Sequence, residues 1–369
     1  EKGASARSLP HCPEGRAVAE QRGARVRDRR QGVAGAATQG GAHMTAHGDD
    51  ITLLNIEFNS SCNLRCAWCA LDHAKPRKTM SRETLERVMS SLIAAPLPNL
   101  RRIDLHNGGE ALLHPDLPGL LSVVRRHRPG LPKGARIALL SNAVLLTEKV
   151  SSQILRSQAL DQIRFSLDGG TPEAYEAIRK GARWEHVLRN VLRFLAMNRN
   201  APRPVLTEAI CILPPDAVAG DDWAASLSPV FRELFSAFDK VSLRPPHNWD
   251  GSADLGVDDQ SYRAIAATRP REVCFLLRNN LVVLPDGAVT VCCNDLNGRG
   301  VFGSVLDRDF PALAAELARL GMIARLLGGA LPRHCGAGRL GEALPRHCGR
   351  RLKMGHSRRC CGGFKPSRI

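Results

Sequence analysis

The chain contains 369 residues, of which 43% are hydrophobic and 24% charged, values that are ordinary for a soluble globular protein with up to two domains. No apolar run approaches the roughly 20 residues needed to cross a bilayer, which excludes a membrane-spanning protein. The net charge of +16 suggests a nucleic-acid partner, but residues 1–43 contribute +4 and residues 332–369 contribute +9. The remaining +3, with only 4% aromatic residues, argues against nucleic-acid binding.

Two basic tails are expected to lie outside the folded part of the chain. Residues 1–43 are rich in Gly, Ala, Arg and Gln without apolar periodicity, which predicts a disordered and dispensable segment, with the functional protein starting near Met44. Its four acidic residues disfavour an Arg-rich targeting peptide. In the second tail, residues 331–369, a short segment recurs: residues 330–336 reappear as residues 343–349, which indicates a local duplication or an aberrant reading frame.

From residue 51 onwards, short apolar runs alternate with stretches of helical periodicity. Strands are predicted over residues 51–58, 101–106, 135–141, 161–168, 204–212 and 240–243. Helices are predicted over residues 117–128, 147–157, 171–179, 184–198 and 221–238, and after the N-cap Ser81, where Leu85, Val88, Met89 and Leu92 form one apolar stripe. This alternation is typical of parallel strands with right-handed crossovers, and six units predict an open, partial (β/α)6 barrel over residues 44–250.

After residue 250 the alternation stops. Residues 281–284 and 288–291 flank a turn at Asp286 and Gly287 and predict a β-hairpin, and residues 310–327 predict a helix. The expected fold class is therefore α/β, with the partial barrel followed by a small hairpin-plus-helix domain over residues 251–330.

The cysteines carry the strongest chemical signal. Cys62, Cys66 and Cys69 follow the first predicted strand in C-x3-C-x2-C spacing. Three such thiolates can ligate three irons of a [4Fe–4S] cluster and leave the fourth iron open for a substrate or cosubstrate, whereas a four-cysteine ferredoxin site only transfers electrons. A zinc site would need paired C-x2-C units, which the chain lacks, and a disulfide framework is not expected in a chain this long without a secretory signal. We therefore expect a cytoplasmic, cluster-binding protein.

The segment from Cys62 to Cys69, with Trp68 before the last cysteine, resembles the cluster loop of the radical S-adenosylmethionine (SAM) enzymes. The resemblance implies the partial barrel fold and a [4Fe–4S] cluster whose open iron chelates SAM. It also implies reductive cleavage of SAM to a 5′-deoxyadenosyl radical that abstracts a hydrogen atom from a substrate. Such an enzyme needs an external electron donor, and a flavodoxin- or ferredoxin-type protein is expected.

Polar or glycine-rich motifs stand where several of the predicted strands end, which is the edge at which parallel α/β folds bind ligands. The family resemblance implies that these motifs contact SAM through its amino group, its carboxylate and its ribose. The candidates are Gly108, Gly109, Glu110, Asn142, Ser166, Asp168 and Arg179. Their alternative roles are a turn at the glycines, a helix N-cap at Asp168 or Thr171, and a solvated helix face at Arg179.

The hairpin region is similar to the SPASM/twitch extension, which carries auxiliary [4Fe–4S] clusters. The similarity rests on the spacing Cys274-x12-Gly287-x4-Cys292. It implies that Cys274 and Cys292 ligate an auxiliary cluster. The extension's terminal C-x2-C pair is missing here; Cys335 and Cys348 are the candidates for the remaining ligands, followed by Cys360 and Cys361.

We expect a small polar substrate, such as a sugar, aminocyclitol or nucleoside of antibiotic biosynthesis, because the residues before the barrel do not resemble a peptide-recognition domain. Oxidation, epimerisation and decarboxylation are all compatible with the motifs. Arg244 and His247, after the sixth strand, are the candidate catalytic residues at the substrate. Two alternatives stay open: a peptide or protein maturase, and a zinc- or cluster-binding module without catalysis.

Overall fold

The computed structural model describes residues 50–213, 223–244, 246 and 279–326, without the side chains of residues 223, 224 and 321–326. The predicted domain boundaries at residues 43, 250 and 330 lie outside these ranges. Within them, no helix is both long enough and apolar enough to cross a membrane.

Nine strands form one continuous sheet in the described part of the chain. The strands are β1 (Leu53–Ile56), β2 (Arg102–Asp104), β3 (Arg136–Ser141), β4 (Gln162–Ser166), β5 (Leu206–Ile212), β6 (Lys240–Arg244), β7 (Asn280–Val283), β8 (Ala288–Thr290) and β9 (Val301–Ser304). Their order across the sheet is β6-β5-β4-β3-β2-β1-β7-β8-β9. The first six strands are mutually parallel, and each overlaps its predicted range.

Helices connect the parallel strands as the periodicity predicts. They are α1 (Arg82–Ala94), α2 (Leu117–His127), α3 (Glu148–Ser157), α4 (Pro172–Ile178), α5 (Trp184–Arg199) and α6 (Pro229–Ser236), with α7 (Phe310–Leu326) after β9. Ser81 caps α1 by accepting a hydrogen bond from the N–H of Thr84, and the predicted apolar stripe of this helix is buried. These elements confirm the predicted partial (β/α)6 barrel.

The last predicted barrel helix differs from the expectation. A continuous helix is predicted over residues 221–238, but the described residues contain a 3₁₀-helix, Trp223–Ser226, and then α6. The second helix begins at Pro229, directly after its N-cap Ser228. Proline has no N–H and is accommodated in the first turn of a helix, so the chain must restart the helix at this position.

Side chains alternate between two faces of the sheet. On the outer face, residues such as Leu54 and Ile103 join the stripe of α1 in one contiguous hydrophobic core. On the inner face, the same set of strands carries Asn55, Asp104 and Arg164, all of them buried. Parallel strands that are buried on both faces are normally apolar throughout, so the buried polar residues of the inner face depart from that pattern.

The C-terminal hairpin continues the barrel sheet. β7 pairs in parallel with β1, with Leu281 beside Leu54, and Asn280 Nδ2 donates a hydrogen bond to Asn55 Oδ1 at 3.1 Å. β7 and β8 are antiparallel, which confirms the predicted hairpin, and β9 adds a third antiparallel strand that was not predicted. The extension therefore shares a strand ladder with the barrel next to the cysteine loop.

Candidate active site

The three cysteines of the C-x3-C-x2-C motif lie on the loop between β1 and α1. Cys62, Cys66 and Cys69 are free thiols, each with part of its surface exposed. The N–H of Cys69 donates to the carbonyl of Cys66 at 3.2 Å, which closes a tight turn between the second and third cysteines. Cys62 and Cys66 pack against the edge of the hydrophobic core. The loop thus offers three partly exposed sulfurs over an apolar base.

Backbone hydrogen bonds hold this loop against the end of α4. The N–H of Arg65 donates to the carbonyl of Lys180 at 2.9 Å, and the N–H of Ala67 donates to the carbonyl of Ile178 at 2.8 Å. Because these bonds use the main chain of both segments, the position of the loop is set by the fourth crossover of the barrel.

Two side chains direct N–H groups at the cysteine sulfurs. Asn142 Nδ2 lies 3.9 Å from Cys62 Sγ and also donates to Asn63 Oδ1 at 2.8 Å. Arg179 Nη1 lies 3.6 Å from Cys66 Sγ. Hydrogen bonds to the sulfurs are one means by which proteins set the potential of an iron–sulfur cluster. The fold therefore brings two of the predicted SAM-binding residues to the cysteine loop itself.

The chemistry of the three thiols fits a [4Fe–4S] cluster. Burial raises the pKa of Cys62 to about 12, and burial also raises the pKa of Cys69. Such thiols deprotonate when metal ions supply positive charge beside them. Among the described residues, no three His, Cys, Asp or Glu side chains converge on a point that could hold a single metal ion. A cubane does not require such convergence, because each cysteine ligates a different iron.

Gly109 lets the chain after β2 pass directly against the start of the cysteine loop. A Cβ atom built on Gly109 would lie 1.9 Å from the carbonyl oxygen of Asn59 and 2.7 Å from that of Ser61. The next residue, Glu110, donates its N–H to the carbonyl of Ser61 at 2.8 Å. Only glycine permits this approach of two backbones.

The carboxylate of Glu110 organises the ends of two neighbouring strands from a buried position. It accepts hydrogen bonds from Leu112 N at 3.1 Å, Ser141 Oγ at 2.8 Å and Asn142 N at 2.8 Å. Burial raises the pKa of Glu110, and these hydrogen bonds oppose the shift. A carboxylate has about four acceptor positions, so a further donor can still be bound. The contact between Glu110 and the amino group of SAM stays a prediction. The structure adds that Glu110 positions the ends of these two strands.

Asp168 and Arg179 form a buried ion pair at the end of β4. Arg179 Nε donates to Asp168 Oδ2 at 2.7 Å, and the N–H of Ile212 donates to Asp168 Oδ1 at 2.8 Å. Burial alone would lower the pKa of Arg179, but the Asp168 carboxylate raises it, so the guanidinium stays charged. Ser166 is buried two residues before Asp168. Of the two alternative N-caps, Thr171 and not Asp168 caps α4. The side chain of Arg179 is only 15% exposed, which does not fit the alternative of a solvated helix face.

The remaining predicted residues lie at the limits of the described chain or beyond them. Arg244 ends β6 with an exposed side chain, and its carbonyl accepts the N–H of Leu213 at 3.0 Å. Cys292 is buried after β8 and accepts the N–H of Asn294 at 3.4 Å. Six candidates lie outside the described residues: His247, Cys274, Cys335, Cys348, Cys360 and Cys361.

The loop after β8 is hydrogen-bonded to the cysteine loop, a contact that was not predicted. Asn297 Oδ1 accepts the N–H of Asp72 at 2.8 Å, and Asn297 Nδ2 donates to the carbonyl of Ala70 at 2.8 Å. Lys75 Nζ donates to the carbonyl of Leu296. Asp72 and Asn297 are 225 residues apart in the sequence, so no local pattern could have indicated their contact.

Three polar inner-face residues, Glu57, His106 and Arg164, were also not predicted as site residues. Glu57 and His106 stand at the ends of β1 and β2, and Arg164 lies within β4. A readable signal existed, because each belongs to a run in which polar and apolar residues alternate, although parallel strands buried on both faces are normally apolar throughout.

Comparison with known proteins agrees with this geometry. The sequence model of the Radical SAM superfamily matches residues 56–214, which run from the end of β1 past the end of β5. The match identifies a radical SAM domain over these residues. The three cysteines and all the predicted SAM-binding residues lie within the matched range. A radical SAM domain implies a [4Fe–4S] cluster and SAM as its cofactors.

Curated relatives match part of the chain. A GTP 3′,8-cyclase of Chlorobaculum tepidum is 30% identical over 149 residues, which are 40% of this chain and 42% of that protein. A GTP 3′,8-cyclase of Peptoclostridium acidaminophilum is 28% identical over 152 residues, 40% of this chain and 44% of that protein. The chain thus matches less than half the length of these relatives.

Solved structures extend the similarity of fold to most of the chain. The protein anSMEcpe with bound AdoMet superposes with a TM-score of 0.54 at 17% identity, covering 77% of this chain and 88% of that one. SuiB of Streptococcus suis, bound to the precursor peptide SuiA, superposes with a TM-score of 0.53 at 12% identity, covering 72% and 64%. At these identities the likeness concerns the fold alone.

Proposed function

We propose that Cys62, Cys66 and Cys69 hold a [4Fe–4S] cluster and that the chain is a SAM-cleaving enzyme acting on a small polar substrate. The proposed substrate is a sugar, aminocyclitol or nucleoside of antibiotic or other secondary metabolism, and the outcome is an oxidation, epimerisation or decarboxylation. Arg244 and His247 are proposed to contact the substrate. The observation that carries the proposal is the three-thiol loop with N–H donors directed at its sulfurs. When bound, the cluster and SAM supply the one-electron chemistry that activates an inert C–H bond.

The strand-end residues are proposed to orient SAM. The free acceptor position of Glu110 suits the ammonium group, and the charged guanidinium of Arg179 suits the carboxylate, as charge-assisted hydrogen bonds. Ser166 and Asp168 are suited to the ribose hydroxyls. Holding the reacting groups in one orientation is a contribution that the barrel's own residues can make to the rate.

An auxiliary [4Fe–4S] cluster in a SPASM- or twitch-like extension belongs to the proposal. Its ligands would be Cys274, Cys292, Cys335 and Cys348, and the cluster would supply an acceptor for the second electron of an oxidised substrate. Asp295 supports the loop that carries Cys292 by accepting two backbone N–H groups at 2.9 and 2.8 Å. A cytoplasmic location and a flavodoxin- or ferredoxin-type electron donor complete the proposal.

Anaerobic reconstitution tests the activity directly. The full chain, given SAM and a reductant, should form 5′-deoxyadenosine, and a panel of deuterated sugars, aminocyclitols and nucleosides, with GTP included, should reveal deuterium transfer into it. The triple variant Cys62→Ala/Cys66→Ala/Cys69→Ala should form none. The matched control is Cys211→Ala, since Cys211 is a buried thiol of the hydrophobic core and should be dispensable for the cluster. A colourless wild-type protein, or SAM cleavage retained by the triple variant, would refute the proposal.

Iron analysis addresses the auxiliary cluster. About eight irons per chain are expected if a second cluster is present, and about four if it is not, at four irons per cluster. A stable value near four therefore removes the auxiliary cluster from the proposal and leaves SAM cleavage in place.

A peptide is the second candidate substrate. The similar fold of SuiB was solved with a precursor peptide, and anSMEcpe was also solved with a bound peptide at a TM-score of 0.54 and 17% identity. Deuterium transfer from a labelled peptide, with none from the sugar and nucleoside panel, would favour this candidate. A non-catalytic cluster- or zinc-binding module predicts no 5′-deoxyadenosine under any of these conditions.

A further inference from the structure

One row of side chains crosses the inner face of the barrel sheet at a single height. Strand register places Leu140 beside Arg164, and Arg164 beside Glu208. Glu57 and His106 stand just beyond the ends of β1 and β2, each two residues after the paired Asn55 and Asp104, and are counted with this level. These five residues are named the inner row.

The inner row lies directly below the residues predicted to bind SAM. Two residues after Leu140 and Arg164 come Asn142, just past the end of β3, and Ser166, the last residue of β4. A strand rises about 3.3 Å per residue, so the two levels are roughly 7 Å apart. A small molecule seated on the inner row would therefore adjoin a molecule bound at the strand ends.

The inner face does not pack on the hydrophobic core. Ala138, Ile210 and Val282 point to this face and are buried, yet none of them belongs to the contiguous core that the outer face shares with the helices. Among the described residues, the polar side chains of the inner row therefore need hydrogen-bonding or charged partners, which apolar packing does not supply.

Arg164 is the central cation of the row. Its side chain is buried, and its Nη2 lies 2.7 Å from Asp104 Oδ1, two strands away. The Nε of Arg164 has no acceptor among the residues that the structure describes. A buried N–H without an acceptor is rare in native proteins, and a ligand is one group that can supply the missing acceptor.

Glu57 and His106 add incompletely bonded polar groups on the β1 side. Glu57 Oε2 accepts the N–H of Gly108 at 2.9 Å, while Glu57 Oε1 and His106 Nδ1 have no aligned partner in the described part of the chain. Desolvation lowers the pKa of His106 to about 3, so its ring is neutral at pH 7. Burial raises the pKa of Glu57; the nearby Lys75 opposes this shift and the nearby Asp295 adds to it.

Arg164 shares its carboxylate with a second cation. Arg102 and Arg164 both pair with Asp104, at 3.1 and 2.7 Å. The neighbouring carboxylate, Glu208, pairs with Lys240 at 2.9 Å. Arg164 is thus the buried member of two cations on one carboxylate, which favours an anionic group beside it.

We propose that the inner row binds a hydroxylated small molecule that carries one oxyanion group, a carboxylate or a phosphate. Arg164 receives the oxyanion, for which a planar guanidinium is well suited, and His106 and Glu57 receive hydroxyl groups. This assignment rests on the proposed function, because it gives a substrate class to that activity.

The test compares matched probes with the anaerobically reconstituted full chain. Glucose, glucuronate and glucose 6-phosphate form one set, and guanosine and its 5′-monophosphate form another, with SAM-dependent 5′-deoxyadenosine formation as the readout. At least one acid should stimulate formation tenfold or more over its neutral counterpart, and comparing carboxylate with phosphate identifies the oxyanion. Neutral probes that serve as well as acids, or acids that give no stimulation, would overturn the inference. If the wild-type chain forms no 5′-deoxyadenosine at all, the proposed function fails instead.

Variants at Arg164 assign the effect to the row. Arg164→Gln should raise the KM for the stimulating acid roughly 10- to 100-fold, the loss expected for a charge-assisted hydrogen bond, and Arg164→Lys should recover part of it. Because Arg164→Gln takes from the buried Asp104 carboxylate one of its two cations and leaves it Arg102, the double variant Asp104→Asn/Arg164→Gln removes both charges and protects the fold. Arg125→Gln, an exposed position on α2, is the matched control and should not alter the KM. An unchanged KM in both the single and the double variant would overturn the proposal.

Discussion

Replacing Gly109 by alanine tests the claim that two backbones in direct contact position the cysteine loop. The added methyl group would lie 1.9 Å from the carbonyl oxygen of Asn59, where ordinary contacts begin at 3.4 Å, so the two segments must separate by about 1.5 Å. The obstacle is main chain that leads within three residues to Cys62, and no side chain can rotate to relieve it. Overpacking of this kind costs about 3 kcal/mol of folding free energy, the upper end of the usual range.

The assay measures iron and sulfide per chain after anaerobic reconstitution, together with denaturant unfolding of the cluster-free protein. Gly109→Ala should lose about 3 kcal/mol of stability and most of its iron at the three-cysteine site. Gly134→Ala is the control, because a Cβ there meets nothing within 4 Å and the cost comes only from its φ of +86°, about 1 kcal/mol. It should lose stability without losing iron. Full iron content in Gly109→Ala would refute the claim that this contact positions the loop.

Three further perturbations address the surroundings of the cluster and of the inner row. Arg179→Gln removes a cation and an N–H donor beside Cys66. An EPR-monitored titration should therefore find the reduction potential of the cluster lower by about 59 mV or more, equivalent to tenfold for a one-electron couple, with Arg179→Lys recovering part of the loss. An unaltered potential would contradict the role of this contact. Asn297→Ala removes two hydrogen bonds of about 1 kcal/mol each, so amide exchange in residues 69–75 should accelerate by about 30-fold. Asn297→Asp keeps one acceptor and should show a smaller change. Equal exchange rates in the wild type and both variants would show that Asn297 does not hold the cysteine loop. The pKa of His106 in the folded protein, about 3, lies below the ordinary 6.5, so the unfolded state gains a proton first as the pH falls. The free energy of unfolding should therefore drop by about 2 kcal/mol between pH 7 and pH 5. Parallel curves of unfolding free energy against pH for wild type and His106→Gln would disprove this.

Local sequence determined most elements of this fold. The cap at Ser81, the stripe of α1 and the alternation of strands with helices depend on neighbours a few residues apart, so they were predictable and the partial barrel is confirmed. The break before Pro229 had an equally local cause that the predicted continuous helix overlooked. The cysteine spacing indicated the chemistry for the same reason, because all three thiols lie on one loop.

The cluster loop's surroundings were decided by tertiary structure. Arg179 was predicted from a motif, but its partners, Asp168 and Cys66, depend on how α4 meets the cysteine loop. The hydrogen bonds between Asn297 and that loop depend on the pairing of β7 with β1. The sequence of the hairpin does not indicate which edge of the sheet it joins.

The inner row shows the same limit across several strands. Alternation in a single strand indicates that Arg164 or Glu57 shares a face with its neighbours, but only the register between strands places them at one height. Sequence by itself thus determined the elements and the reactive thiols, whose causes are local. The tertiary structure decided which distant polar groups meet, because pairing and register are set by the packing of the whole sheet.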